Sequence, residues 1–451
     1  MSPPTGRSGV AGRSFRALWF GQTVSAMGTQ VSLVALPLVA VLVLHAGPLE
    51  LGVLAALETL PYLVLALPAG VFVDRADRRL TMIVCDLGRA GVLIATALAI
   101  ATGVVSIGLL CAVALVVGSL SVFFSVAYST YVPSILAADQ LVAGNQRLEL
   151  SDSAAQVAGP SIGGTVLQLA GGAVTAAFDG LSYLVSAVAI AAARPAPAPE
   201  PPARPERIAM FAGIGEGLRR VAGDRVLRDL AGSTGIFNLG SGMLLAVVVL
   251  FATTEVGLDA AGFGLVYGVG NAGFIVGALA VGALSERVGI GRAFAWSTYL
   301  GAVAMILIAI AGGAAGALLL LAGRFVGAVA APLFNVNALS LRQARVSDEI
   351  MGRVNATFLF IDWGPLPIGS LVGGLLAGTF GPRAALIAAA ACGVVGAVWV
   401  RLSPAVRLSS LVGPGSAASS GGGVSGDATS GDGAGADDRD ESPALDPPLV
   451  A

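Results

Sequence analysis

Runs of about twenty apolar residues recur along this chain, and little except membrane helices uses so many. They fall near residues 17–44, 51–73, 81–102, 105–129, 147–169 and 173–193, then near 230–252, 261–285, 293–312, 315–338, 355–378 and 382–402. A helix of that length crosses the hydrocarbon core of a bilayer, where every backbone N–H and C=O must be bonded inside the segment. The expectation is an all-α membrane protein with twelve transmembrane helices. Charge agrees, since 12% of residues are charged, about half of what a water-soluble domain carries. The first run follows Arg7, Arg13 and Arg16 and is too long for the apolar core of a cleaved signal. It reads as an uncleaved first span.

Arginine placement sets direction. All 25 basic residues are Arg. With both termini in the cytoplasm, the inner segments hold Arg75, Arg78, Arg79, Arg147, Arg287, Arg292, Arg342, Arg345, Arg353, Arg401 and Arg407, and the outer loops hold only Arg383. Positive charge collects on the cytoplasmic side, so the reading is a multi-pass protein of the cell membrane with an even number of spans. The chain divides into a cytoplasmic segment 1–16, a six-helix bundle 17–193, a cytoplasmic connection 194–229, a second six-helix bundle 230–402 and a tail 403–451. Alternating prolines after Arg194 hold the connection extended. Residues 208–227 mix apolar residues with Arg219, Arg220 and Arg225, as does an amphipathic helix lying on the inner leaflet. The Gly/Ser/Asp-rich tail is expected to be disordered.

The two bundles repeat one another. Gly70-x-x-x-Asp74-Arg75 returns 212 residues later as Gly282-x-x-x-Glu286-Arg287. Arg16-x-Leu18 matches Arg228-x-Leu230 at 212, Asn145 matches Asn355 at 210, and Leu169-Ala-Gly171 matches Leu376-Ala-Gly378 at 207. Two like halves in one orientation are related by an axis along the membrane normal, with a transport path between them.

Gly70-x-x-x-Asp74-Arg75-x-x-Arg78-Arg79 resembles the A motif of the major facilitator superfamily, with Asp77 where that motif has glycine; Gly289 keeps the glycine in the second copy. Ala155-Gln-Val-Ala-Gly159-Pro160-Ser-Ile-Gly163-Gly164 resembles the C motif associated with drug–proton antiporters, with Ala155 replacing its first glycine. Phe15-Arg-Ala-Leu-Trp-Phe-Gly-Gln22 and Asp179-Gly-Leu-Ser-Tyr183 resemble the branch that holds siderophore exporters and macrolide efflux pumps. The resemblance covers residues 15–402. It implies the major facilitator fold, two pseudo-symmetric six-helix bundles, with a cavity lined by the first, seventh and tenth helices. It also implies efflux by proton antiport.

Several residues then acquire candidate roles. Asp74, Arg75, Arg78 and Arg79, with Glu286 and Arg287 beside Gly282, form a candidate gate whose charges pair across the halves in one state and part in the other. Gly70 is read as a place where neighbouring helices meet closely. Pro160 removes a backbone hydrogen bond, while Gly159, Gly163 and Gly164 admit a neighbour. The fifth span is therefore expected to be bent and tightly packed, a seal against proton leak. Ionisable groups within spans cost about 2.5–3.5 kcal/mol each, so each invites a functional reading. Glu58 has no arginine in helical reach on its own span, which makes it a candidate proton carrier, with Asp362 and Asp179 as the others. Asp86 and Arg89, three apart, are read as a mutually neutralising pair. Arg324 needs a partner, and Asp362 on the next span is the one expected. Gln22, Ser25, Asn238, Asn335 and Asn337 are polar cavity candidates, with Trp19, Phe237 and Trp363 suited to a flat or amphipathic cargo.

The leading function is a monomeric secondary transporter that exports a small amphipathic molecule against protons. An importer of a nutrient or siderophore, or a non-transporting scaffold or sensor, is the alternative. A chain without lysine has no P-loop for ATP, and one histidine, His45, leaves nothing for a His-based active site. Cys85, Cys111 and Cys392 lack metal-ligand spacing and are read as small packing residues. No cofactor, no metal and no nucleic-acid partner is expected; protons, lipid and a small molecule are.

Overall fold

The few polar residues between the apolar runs set where the helices begin and end. A computed structural model describes residues 7–136, 140–193 and 207–404. It contains α1 (Arg7–Leu42), α2 (Pro48–Val73), α3 (Arg78–Ala101), α4 (Ile107–Ile135), α5 (Leu141–Ala192), α6 (Arg207–Gly223), α7 (Arg225–Thr254), α8 (Ala260–Asn271), α9 (Gly273–Val288), α10 (Ile290–Ala309), α11 (Gly316–Gln343), α12 (Asp348–Trp363), α13 (Pro365–Phe380) and α14 (Pro382–Leu402). Asp77 caps α3 by accepting from the Leu80 N–H, Ser106 caps α4 from Leu109, and Asp259 caps α8 from Gly262. Each satisfies an N–H that a helix start leaves unpaired.

Twelve crossings result among the described residues. Helix α5 has 52 residues, about 78 Å at 1.5 Å per residue and far more than one bilayer core. Gly171 breaks it at φ 80°, ψ 170°, a left-handed conformation that favours glycine, and turns the chain back. The limb 141–170 runs parallel to α1, with Gly159 against Gln30 and Gly163 against Val31. The limb 172–192 runs antiparallel to α1, with Gly28 at Ser182 and Gly21 at Ala189. In the second half α8 and α9 make one crossing interrupted at Ala272, and α12 and α13 make another interrupted at Gly364.

The repeat is visible in the packing. Helix α7 has α13 parallel to it, with Leu239 at Gly369 and Met243 at Gly373. It has α14 antiparallel, with Gly240 at Cys392 and Gly232 at Trp399. That is the arrangement of α1 with the two limbs of α5. The glycine that turns the chain after α13 is Gly381, at φ 89°, ψ 159°. It lies 210 residues after Gly171, which corrects the pairing of Gly171 with Gly378: the chain turns at the residue whose backbone is left-handed.

Residues 194–206 and 405–451 lie outside the described residues, and with them fall the expectations of an extended linker and a disordered tail. The amphipathic stretch becomes α6, which docks on protein. Gly217 abuts Arg353 and Thr357, Val221 is buried, Glu216 pairs with Arg353, and Arg220 donates to the Arg345 carbonyl. Gly217 and Val221 are four apart and share one face, so the helix has a side that fits α12 better than lipid. Asp224 accepts from the N–H groups of Val226 and Leu227, so α7 begins at Arg225 rather than near 230.

Large apolar side chains such as Leu169, Val188, Leu279, Leu318 and Phe380 are exposed on the outer faces, where lipid covers them. The buried clusters are arranged unequally. The largest joins both halves: Leu38, Leu51 and Leu54 share it with Val247, Phe251, Phe263 and Ala377. Three others stay within one half each, around Met82, Phe124 and Tyr131 and around Leu93, Val113 and Tyr183 in the first, and around Phe294, Leu341 and Phe358 in the second. The shared cluster lies toward the end of the bundle that carries His45 and Gly171. Those around Met82 and Phe294 lie toward the end that carries Arg79 and Arg292. We refer to these as the clasped end and the arginine end.

Candidate functional site

At the clasped end the halves meet through glycines. A Cβ on Gly164 of α5 would lie 3.0 Å from the Cα of Gly264 on α8. A Cβ on Gly52 of α2 would lie 2.9 Å from the Cα of Gly374 on α13. Either side chain would force the helices apart, so this approach needs glycine on both sides. The two contacts are copies. Gly159, Gly163 and Gly164 correspond to Gly369, Gly373 and Gly374 at a constant 210, and Gly264 corresponds to Gly52 at 212. In each copy the first two glycines seat the half's own leading helix, α1 or α7, and the third meets the other half. Sequence reading found the first copy and missed the second, because Ser370 stands where the first has Pro160.

Pro160 has a consequence across the interface. Its missing N–H leaves the Gln156 carbonyl without its helical donor, and Asn271 of the other half supplies one, Nδ2 to O at 2.6 Å. The Asn271 Oδ1 in turn accepts from Arg324 Nε at 2.7 Å. Nearer the clasped end, Gln168 of α5 accepts from the Ala261 N–H at 2.8 Å and donates to Asp259 Oδ2 at 2.9 Å. This side-chain amide ties the first half to the start of α8. Asn271 and Gln168 were not foreseen; a polar residue in an apolar run opposite a proline was the available signal for Asn271. Arg383, the one arginine expected outside, is fully engaged there by Glu255 and the Ala311 carbonyl.

The arginine end is built differently. Asp74, Arg75, Glu286 and Arg287 are exposed, and neither they nor Arg78 make an ion pair among the described residues. Arg79 instead donates to the carbonyls of Ile190 and Ala191, anchoring α3 to the end of α5. Nothing lies within 4 Å of a Cβ placed on Gly70 or Gly282. The close helix contact expected at Gly70 is therefore not made in this state. Where Asp77 caps α3 with its carboxylate, the second copy turns on Gly289 at φ 86°. The two copies close the same loop by different chemistry.

Two cavities occupy equivalent places in the halves toward this end. One, of about 550 Å³, is lined by Gln22, Tyr128, Asn145, Glu149 and Asp152 on α1, α4 and α5. The other, of about 540 Å³, is lined by Asn238, Asn335, Arg342, Phe358, Asp362 and Trp363 on α7, α11 and α12. Gln22 also donates to Ser186, and Asn238 to the Asp362 carbonyl at 2.8 Å. Ser25 and Asn337 are not among the lining residues. Ser25 shares the helix stripe of Gly21 and Gly28, which face the second limb of α5. Asn337 stands about 200° around α11 from Asn335 and accepts from Ser285 of α9.

A third cavity, of about 160 Å³ inside the first half, brings together Glu58, Asp179, Tyr62 and Tyr183. Glu58 makes no hydrogen bond among the described residues, and Asp179 is buried and accepts from Ser182 at 3.2 Å. Tyr62 stacks on Trp363 of the other half, centroids 4.3 Å apart. Close by, Arg89 pairs with Asp86 and is sandwiched between the rings of Phe124 and Tyr183. A fourth, central cavity of about 450 Å³ is lined by α1, α5 and most of the second half, with Phe237, Tyr267, Asn271 and Arg324 in its wall. The expected Arg324–Asp362 contact is absent. Helix α11 packs on α8, α9 and α10, so Arg324 faces Asn271 and Tyr267, while Asp362 shares its cavity with Arg342.

A sequence profile of the transmembrane secretion effector family matches residues 6–411. The chain belongs to that family. It is thus a membrane transporter of the major facilitator superfamily and not an enzyme. It is 29% identical over 413 residues to the multidrug efflux pump Tap of Mycobacterium tuberculosis, covering 89% of this chain and 96% of the pump. The fold matches the nucleoside transporter NupG with a TM-score of 0.69 at 12% identity, covering 86% of this chain and 98% of that one. It also matches a bacterial homologue of the iron transporter ferroportin in an inward-facing state, with a TM-score of 0.68 at 17% identity, over 86% and 98% of the two chains.

Proposed function

We propose that this transporter exports a small amphipathic molecule, of the drug, antibiotic or secondary-metabolite kind, in exchange for protons and by alternating access. It sits in the cell membrane with both termini in the cytoplasm. The observation that carries this reading is the inequality of the two ends: one core shared by both halves at the clasped end, separate cores and two cavities at the other. Arginine crowds the open end, and by the positive-inside rule that end is cytoplasmic. A crevice open to the cytoplasm is the loading state of an exporter. The likeness to a multidrug efflux pump supports the cargo class.

In this reading the clasps part as the arginine end closes, and Asp74, Arg75, Arg78 and Arg79 then meet the second half. Asp362 stands where cargo enters, and Glu58 and Asp179 share a small cavity screened by Tyr62. These three carboxyls are the coupling candidates. A proton moving down a 100 mV potential contributes about 2.3 kcal/mol, roughly a 50-fold gradient of cargo. Everted vesicles holding the protein should accumulate a fluorescent drug when acidified inside and lose it on adding a protonophore. Glu58→Gln, Asp179→Asn or Asp362→Asn should retain binding while uptake stops responding to the proton gradient. Uptake that ignores the protonophore, or proton-driven uptake intact in all three variants, contradicts the proposal.

A further inference from the structure

Two arginines sit deep within spans, and the protein treats them differently. Arg89 carries its counter-ion three residues away in Asp86. No aspartate or glutamate lines the central cavity that holds Arg324. Arg324 Nε is used by Asn271, and its guanidinium lies 4.9 Å from the Tyr267 ring centre and 5.8 Å from that of Phe274. Aromatic faces attract a cation but leave its charge in place. The two terminal nitrogens make no hydrogen bond among the described residues and are not sealed from the cavity. A cation held in a membrane interior without an acid is expensive. The space beside it, about 450 Å³ with Phe237, Phe263 and Met305 in its walls, fits a molecule that brings the missing charge.

We propose that Arg324 is the anion-recognition point of the central cavity, and that the cargo is an aromatic or otherwise apolar molecule bearing a carboxylate or similar anionic group. This deepens the export reading and rests on it. The free fork of a guanidinium matches a carboxylate with two parallel hydrogen bonds. Cargo held there also engages the side chain that bonds Asn271, and through it the carbonyl freed by Pro160. Recognition and the interface between the halves therefore share one residue.

The test uses two xanthene dyes, fluorescein with its carboxylate and rhodamine 6G as a cation, titrated by fluorescence polarisation against the purified full chain in nanodiscs. Fluorescein should bind, Arg324→Gln should weaken it by about tenfold or more, and Arg324→Lys should fall between. Rhodamine 6G binding should change less than about twofold in either variant. Wild-type protein that binds rhodamine 6G but not fluorescein, or that binds neither, overturns the proposal. So does an Arg324→Gln variant that loses both dyes alike while Arg324→Lys restores both. Everted vesicles separate the two readings. Fluorescein binding without proton-driven uptake removes export and keeps the anion site, whereas uptake of rhodamine 6G alone keeps export and removes the anion site.

Discussion

The two glycine clasps are copies that differ at one position, and the difference decides what each is connected to. In the second clasp Ser370 keeps its backbone N–H and adds a hydroxyl that donates to Leu366 and Gly242 carbonyls. In the first, Pro160 has no N–H, and the orphaned Gln156 carbonyl is taken by Asn271 from across the interface. The residue matching Asn271 in the first half is Thr59, whose hydroxyl is spent within its own helix on Ala55 and Ala56. One clasp is self-contained. The other is bonded through Asn271 to Arg324 and so to the central cavity. A duplicated bundle has thus kept both contacts between the halves and joined one of them to the central cavity.

The largest effect should come from breaking either clasp. Gly164→Leu and Gly374→Leu each place a side chain where a Cα already stands about 3 Å away. Overpacking costs about 1–3 kcal/mol, which lowers the clasped population about 5- to 150-fold. Both variants should lose drug efflux, and thiol labelling of a cysteine at Val34 from outside should rise. The same change at Gly70, which faces open space, should leave folding intact and slow turnover, because only the state closed at the arginine end would feel it.

Next in size is the asymmetry itself. Asn271→Ala leaves the Gln156 carbonyl and Arg324 Nε unpaired, at about 1–3 kcal/mol, whereas Thr59→Ala should cost below about 1 kcal/mol. Thermal unfolding in detergent measures both. Adding Pro160→Ser to Asn271→Ala restores a donor for Gln156 and should recover part of the loss, a double-mutant cycle that is not additive. Equal costs at positions 59 and 271 would erase the distinction between the clasps.

Smaller still is Gln168→Ala. It removes two hydrogen bonds near the surface that water can replace, together worth about 0.5–1 kcal/mol net, and should shift the conformational balance a few-fold with efflux retained. The least effect is that of pH on Asp259, whose carboxylate is held below its ordinary value of 3.8 first by the Gly262 N–H and then by Gln168. A depressed value means the stabilisation is complete above 3.8 and is lost only as pH falls through the lowered value. The Gln168–Asp259 contact itself should therefore not titrate between about pH 5 and 8. A titration of that contact near neutrality would show that another group controls it.

The fold was largely legible because lipid permits so little: twelve apolar runs, a doubled polar loop and lopsided arginine left few alternatives. Boundaries were less so. Asp224 moved the start of α7, and Gly217 with Val221 gave α6 a protein partner, features that carry no hydropathy signal. Adjacency misled at Arg324, since helices joined by a short loop need not present the same faces to each other. Spacing alone excluded Asn335 and Asn337 from sharing a wall. The second clasp was hidden because glycine pairs have no side chains to mark them, and only the constant offset of 210 connects Gly374 with Gly164.

The most direct test of alternating access follows both ends at once. With Cys85, Cys111 and Cys392 replaced, spin labels at Leu169 and Thr254 report the clasped end, and labels at Leu80 and Ala283 report the arginine end. Adding cargo and lowering pH in nanodiscs should lengthen the first distance as it shortens the second. Distances that move together, or a first pair that never lengthens while cargo is being transported, would contradict the account.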